Sequence, residues 1–263
     1  MILPKDDKPQ NDPNNPARKI YLDALNDLLA KESARHNNAP DPSMGGLSPE
    51  QVSNLLYSPW GEPGSLIQVD HHLPGETYQA SAFFRRARML MLAVFEAGGV
   101  KATPGKYLNR RFVEDLVKRM FNDEEQADLW RFSKKLDELD VWPMHIARVV
   151  CGVAKLLRLH NGAFVVPKKK QVLLDDLFAG HLFEFLFLAY FREFNFAYLN
   201  QIGPEAVSVQ RCIGYSLYRI GEAARDWVPM EGLAVQILLP YVRKDVEREV
   251  VGDKYFTMDH VME

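Results

Sequence analysis

Few stretches of this chain bring reactive side chains together at a spacing that chemistry can use. Asp70-His71-His72 joins a carboxylate to two imidazoles. Adjacent histidines diverge on most backbones, however, and one loop supplies too few ligands for a tetrahedral metal site. His145 and His160 flank an apolar helical run and read as surface or hydrogen-bonding groups. Asp175-Asp176 suits a helix start, where carboxylates meet the positive end of the dipole. Gly98-Gly99 is an isolated pair that suits a helix C-terminus better than a phosphate loop. Tyr78, Tyr107 and Trp142 read as packing residues and not as base-stacking platforms. No GxSxG, CxxC or HExxH occurs. These residues lead us to expect no catalytic group, no metal ligand and no cofactor. An enzyme with a site near residues 58–77 is the remaining catalytic alternative.

What does stand out is cationic. The net charge of the 263 residues is only −3, but it is unevenly spread. Residues 81–170 hold 18 Lys and Arg against 10 Asp and Glu, whereas residues 1–80 hold 6 against 11 and residues 171–263 hold 8 against 14. A basic middle between acidic ends marks where a polyanion could dock. Lys168, Lys169 and Lys170 close that middle.

The stretch that positions those lysines runs from Val141 to Asp176. Pro143 suits a first helical turn. Ile146, Val149, Val150 and Val153 follow at helical spacing. Asn161-Gly162 between short apolar runs is a strong hairpin signal, and Pro167 ends the returning strand. Upstream, Ser48-Pro49-Glu50-Gln51 is a complete capping box with Leu47 and Val52 as its staple. Helices are predicted over Ala17–Arg35, from Ser48 to about Tyr57, Tyr78–Ala97, Arg110–Phe121 with Asn109 as cap, Asp123–Leu139 and Pro143–Lys155. Leu66, Ile67 and Val69 suggest a short strand, and Val100–Thr103 another. Beyond Asp176 the apolar aromatics from Phe178 to Tyr198 point all round one or two helices, so these must be buried. Gly203-Pro204 breaks that run, and helices follow over Val207–Ala224 and Met230–Leu239.

The fold class expected is mainly α, with a winged helix-turn-helix-like centre, a small β-hairpin and a helical C-terminal region. The organisation expected is a disordered tail at 1–15, a helix and linker at 16–46, a winged-helix-like domain at 47–176, an aromatic-rich helical region at 177–240 and a charged tail at 241–263. Cys151 and Cys212 lie in apolar runs and read as free buried thiols, which fits a reducing cytoplasm. The acidic, Pro- and Asn-rich start is unlike a signal peptide. His181, Glu184, Arg192 and Glu193 argue against a membrane span within 177–199.

Three phrases, GLSPEQVSNLLYSPWG (46–61), GGVKATPGKYLNRRFVEDL (98–116) and HLFEFLFLAYFREFNFAYLN (181–200), give the chain a resemblance to a family of uncharacterised bacterial proteins. That family is read as helical with a winged-helix-like centre. The resemblance spans roughly residues 46–240, implies that fold, and brings no activity and no catalytic residues.

The functional expectation is DNA binding without catalysis, mostly through the phosphate backbone. His145, Arg148 and Lys155 are placed on the recognition helix, Lys168, Lys169 and Lys170 on the wing, and Arg110, Arg111, Lys118 and Arg119 on the preceding helix. That recognition helix is poor in Asn, Gln and Arg, so shape and charge outweigh base reading. The alternative is an interaction module in which the aromatic helices build a homodimer.

Overall fold

The computed structural model describes residues 16–131, 133–200 and 205–252. The expectations for residues 1–15 and for Gly203-Pro204 fall outside the described residues. The protein is mostly helical, with one small three-stranded antiparallel sheet.

Helix α1 (Pro16–Asn38) leads through a short linker to α2 (Pro49–Tyr57). The capping box forms as the sequence requires: the Gln51 N–H donates to Ser48 Oγ, and the Ser48 N–H donates to Gln51 Oε1. Residues 58–74 are irregular, and Leu66, Ile67 and Val69 form no strand. The helix expected at 78–97 is split into α3 (Gly75–Gln79) and α4 (Ala82–Glu96), because Ser81 caps Phe84 and opens a new helix. After α4 come β1 (Val100–Lys101) and α5 (Arg110–Met120), capped by Asn109 on the Phe112 N–H. Next is α6 (Asp123–Arg131), shorter than expected. Its capping pair is Asn122 with Glu125, not Asp123 with Gln126. The chain then turns and re-forms as a single 3-10 turn, Glu138–Asp140.

Helix α7 (Trp142–Val153) enters the hairpin of β2 (Arg158–His160) and β3 (Ala163–Val165). Asn161 and Gly162 both have positive φ, 49° and 74°. The primed turn that matches strand twist demands this pair of signs. β3 lies between β1 and β2, with Val100 opposite Phe164 and Leu159 opposite Phe164 on the other side. Lys168–Leu174 is a 3-10 segment that leads to α8 (Ala179–Leu188), which continues into a wide π turn over Ala189–Glu193. The remaining helices are α9 (Ala197–Asn200), α10 (Glu205–Arg211), α11 (Ile213–Ala223), α12 (Met230–Ile237) and α13 (Pro240–Gly252). The charged tail thus starts within a helix, Pro240 taking its tolerated first position.

Two apolar cores result. The larger joins α4, α5, α7, the sheet and α8, with Ala87, Leu90, Met91 and Val94 of α4 against Ala147, Val150 and Cys151 of α7, all wholly buried or nearly so. The second joins α2 to the C-terminal helices through Leu47, Leu55, Tyr215, Leu239 and Val242. The structure groups α2 with residues 209–246 and α8 with the central core. Among the described residues no helix is long and apolar enough to cross a membrane.

Candidate polyanion groove beside the hairpin

The hairpin, the end of α7 and the 3-10 segment after Pro167 enclose an open groove of about 930 Å³. Its floor is Leu157, Leu159, Phe164 and Pro167, and its sides are Lys106, Arg148, Lys155, Arg158, Lys168, Lys169 and Lys170. Among the described residues no carboxylate lines it. Each cation arrives by a local rule. Lys168 to Lys170 follow Pro167, which ends β3 and starts the 3-10 turn. Lys155 ends α7 in the left-handed conformation, φ 56°, with its N–H donating to the Gly152 carbonyl. Lys106, also left-handed at φ 62°, closes the turn between Thr103 and Tyr107. Lys170 also lies over the Phe185 ring, 3.4 Å from its centroid.

Arg148 is different in kind. Its Nε–H donates to Glu138 Oε1 at 2.7 Å. Glu138 is a wholly enclosed carboxylate that also accepts from His145 Nδ1 at 2.6 Å and from the Leu108 N–H. Burial pushes the Glu138 carboxyl up. The hydrogen bonds from His145 and Leu108, together with the Arg148 charge, outweigh burial and hold it below the usual range. His145 Nε2 is bonded to the Tyr198 hydroxyl at 2.7 Å.

The residues expected from sequence to touch nucleic acid divide accordingly. Arg148, Lys155, Lys168, Lys169 and Lys170 line the groove. His145 is 0% exposed, enclosed by Trp142, Tyr107 and Tyr198, and so faces no ligand. Periodicity placed it off the apolar stripe, but α7 is covered on almost every side, including by α4 and the π turn. On α5, Arg110 forms a two-point pair with Asp137 (2.9 and 2.7 Å), Lys118 meets Asp115 at 3.6 Å and Arg119 meets Glu96 at 3.0 Å. The hydrogen bond from Arg110 holds Asp137 below the usual carboxylate range. Arg111 stands exposed. None of these four lines the groove. Sequence reading missed Lys106 and Arg158. Their signals were the left-handed position of a five-residue turn and an exposed strand position. It also missed Glu138 and Tyr198, whose partnership with His145 spans 53 residues in the latter case and leaves no local trace.

The His71 cluster is a clasp. His71 Nε2 meets Glu184 Oε2 at 2.9 Å, and the His71 ring stacks on His181 at 4.2 Å, tying the irregular loop to α8. Among the described residues no set of three or more His, Cys, Asp or Glu is arranged to hold a metal ion. Cys151 and Cys212 are free and buried, and burial pushes the Cys151 thiol up to about 12. The aromatic rings of 183–198 mostly engage one another, as Tyr190 does with Phe83, Phe191, Phe194 and Phe196.

Residues 79–179 match the family model described as the Y4jL N-terminal domain. The match covers α4 through the start of α8, most of the central core and all of the groove. No curated protein and no solved structure matches the chain.

Proposed function

We propose that this chain is a winged-helix-type protein that binds nucleic-acid phosphates through the groove beside its hairpin. The order α4, β1, α5, α7, β2, β3, with α6 as an insertion and β1 on the far side of β3, supports the winged-helix reading. The convergence of seven cations, Lys106, Arg148, Lys155, Arg158, Lys168, Lys169 and Lys170, with no carboxylate among the described residues on the walls, carries the functional reading. A concave cationic surface concentrates its own field and favours a polyanion. The covered state of α7 argues for backbone contact over base reading from a helix in the major groove.

The test is fluorescence anisotropy with labelled oligonucleotides. Affinity should fall steeply with salt, by roughly 0.7 to 0.9 log units per phosphate met for each tenfold rise in salt. Lys155→Glu with Lys168→Glu and Lys169→Glu should weaken binding by more than about tenfold. Lys118→Glu with Arg119→Glu, on a face already supplied with carboxylates, should leave it within about twofold. Absence of binding to any nucleic acid at low salt ends this reading.

A further inference from the structure

The groove has a neighbour that charge alone does not require. Trp142 and Tyr198 stack with ring centroids 5.9 Å apart and planes 19° from parallel. They are 39% and 44% exposed. Both rings are rigidly backed. The Tyr198 hydroxyl is held by His145, His145 is held by the enclosed Glu138, and the Trp142 ring lies 5.2 Å from the same imidazole. The pair lies near the groove through a shared backing, the buried His145, whose Nδ1 is 3.4 Å from Arg148 Nη2 and whose ring packs against both Trp142 and Tyr198. Arg148 lines the groove, its guanidinium carbon lies 6.0 Å from the Tyr107 ring centroid, and Tyr107 lies 6.0 Å from His145. Trp142 and Arg148 are six positions apart on one helix, about 9 Å along its axis and about 120° apart around it.

We propose that Trp142 and Tyr198 form a base-stacking platform, and that the nucleic acid taken by this surface is an unpaired strand. This rests on the phosphate-binding reading of the groove. A duplex hides its base faces within its own stack and offers phosphates, sugars and base edges but no π-face, so an exposed, pinned aromatic pair beside a cationic groove has no base to stack on there. An unpaired strand presents both: phosphates for the lysines and a π-face for the rings. His145 and Glu138 are positioning residues in this arrangement, since they fix Tyr198 and Arg148 without touching the strand.

The experiment measures the full chain against oligo(dT), oligo(rU), the oligo(dT)·oligo(dA) duplex of equal length, and inorganic polyphosphate as a competitor without bases. Oligo(dT) or oligo(rU) should bind at least about tenfold more tightly than the duplex at the same salt. Trp142→Ala should cost about tenfold on the strand and leave polyphosphate competition unchanged, while Trp142→Phe recovers most of the loss. Should Trp142→Ala fail to fold, a Trp227→Phe chain and the same chain with Trp142→Phe decide instead: oligo(dT), and not polyphosphate, should quench the tryptophan emission of the first, and that quenching should be lost in the second. Duplex binding as tight as strand binding, an unaltered strand affinity in a folded Trp142→Ala, or quenching by polyphosphate equal to that by oligo(dT) overturns the proposal. If nothing binds, the phosphate reading itself has failed. If strand, duplex and polyphosphate bind alike, only the platform has.

Discussion

Lys106 and Lys155 hold left-handed backbone conformations that an L side chain enters at a cost and glycine enters freely. With Asn161 they are the non-glycine residues with positive φ among those described, and both line the groove. Lys155 also opposes the negative end of the α7 dipole, which recovers part of its cost. We expect Lys155→Gly and Lys106→Gly each to raise stability by about 0.5–1 kcal/mol while lowering oligonucleotide affinity several-fold. Chemical denaturation and anisotropy on the same samples check this, and a loss of stability would show that the lysines serve the fold alone. Glu138 makes the opposite trade. It is enclosed and held by three donors, so Glu138→Gln should cost about 3 kcal/mol near neutral pH by leaving Arg148 and His145 mispaired. Its carboxyl is depressed in the fold. The stability it supplies is therefore present above the ordinary glutamate value and lost as pH falls through the depressed one. Acid titrations of Tm should show a shallower acid limb in Glu138→Gln than in the parent.

At the level of elements, local rules carried far. The Ser48 box, the Asn109 cap and the Asn161-Gly162 turn each form where their residues require, because each signal acts within four positions. Where sequence reading went astray, a distant partner or a competing local cap decided. The helix expected over Asp123–Leu139 does not run its full length: Asp137 pairs with Arg110 and Glu138 turns inward to His145, so residues 133–137 are not helical. On α7 the apolar stripe leaves His145 and Arg148 aside. Only the fold shows that a buried carboxylate and the Tyr198 phenol occupy that side. The groove itself was half legible: the lysine run was plain, and the turn and strand cations that complete it were not. The hairpin that frames the groove depends on Gly162, whose φ of 74° suits no β-branched residue. Gly162→Val should destabilise the hairpin by about 1–2 kcal/mol, speed amide exchange at Phe164 and weaken oligonucleotide binding. Unchanged exchange at Phe164 would mean that β1 alone holds β3 in place.

For the molecule as a whole, the two apolar cores meet around Trp60 and through Gln210 of α10, whose side chain donates to the Phe194 carbonyl and accepts from the Phe196 N–H. The Trp60 indole N–H donates to the Leu55 carbonyl, its ring packs on Phe187 of α8, and Arg192 lies 4.9 Å from it while donating to the Leu56 carbonyl. Gly214 of α11 presses against this junction so closely that an added Cβ would lie 2.1 Å from the Leu55 carbonyl oxygen and 3.1 Å from the Trp60 ring. Backbone cannot retreat there without parting α2 from α11, so Gly214→Ala should loosen the second core. The groove and the Glu138 network lie wholly in residues outside that core. The expected outcome is an unfolding curve that splits in two. An early transition should report the helices around Tyr215 and Val242, a later one should keep the parent midpoint, and oligonucleotide affinity in native buffer should stay within about twofold. A single transition shifted as one unit would instead show that the cores fold together. The groove would then owe its shape to the C-terminal helices as much as to its own walls.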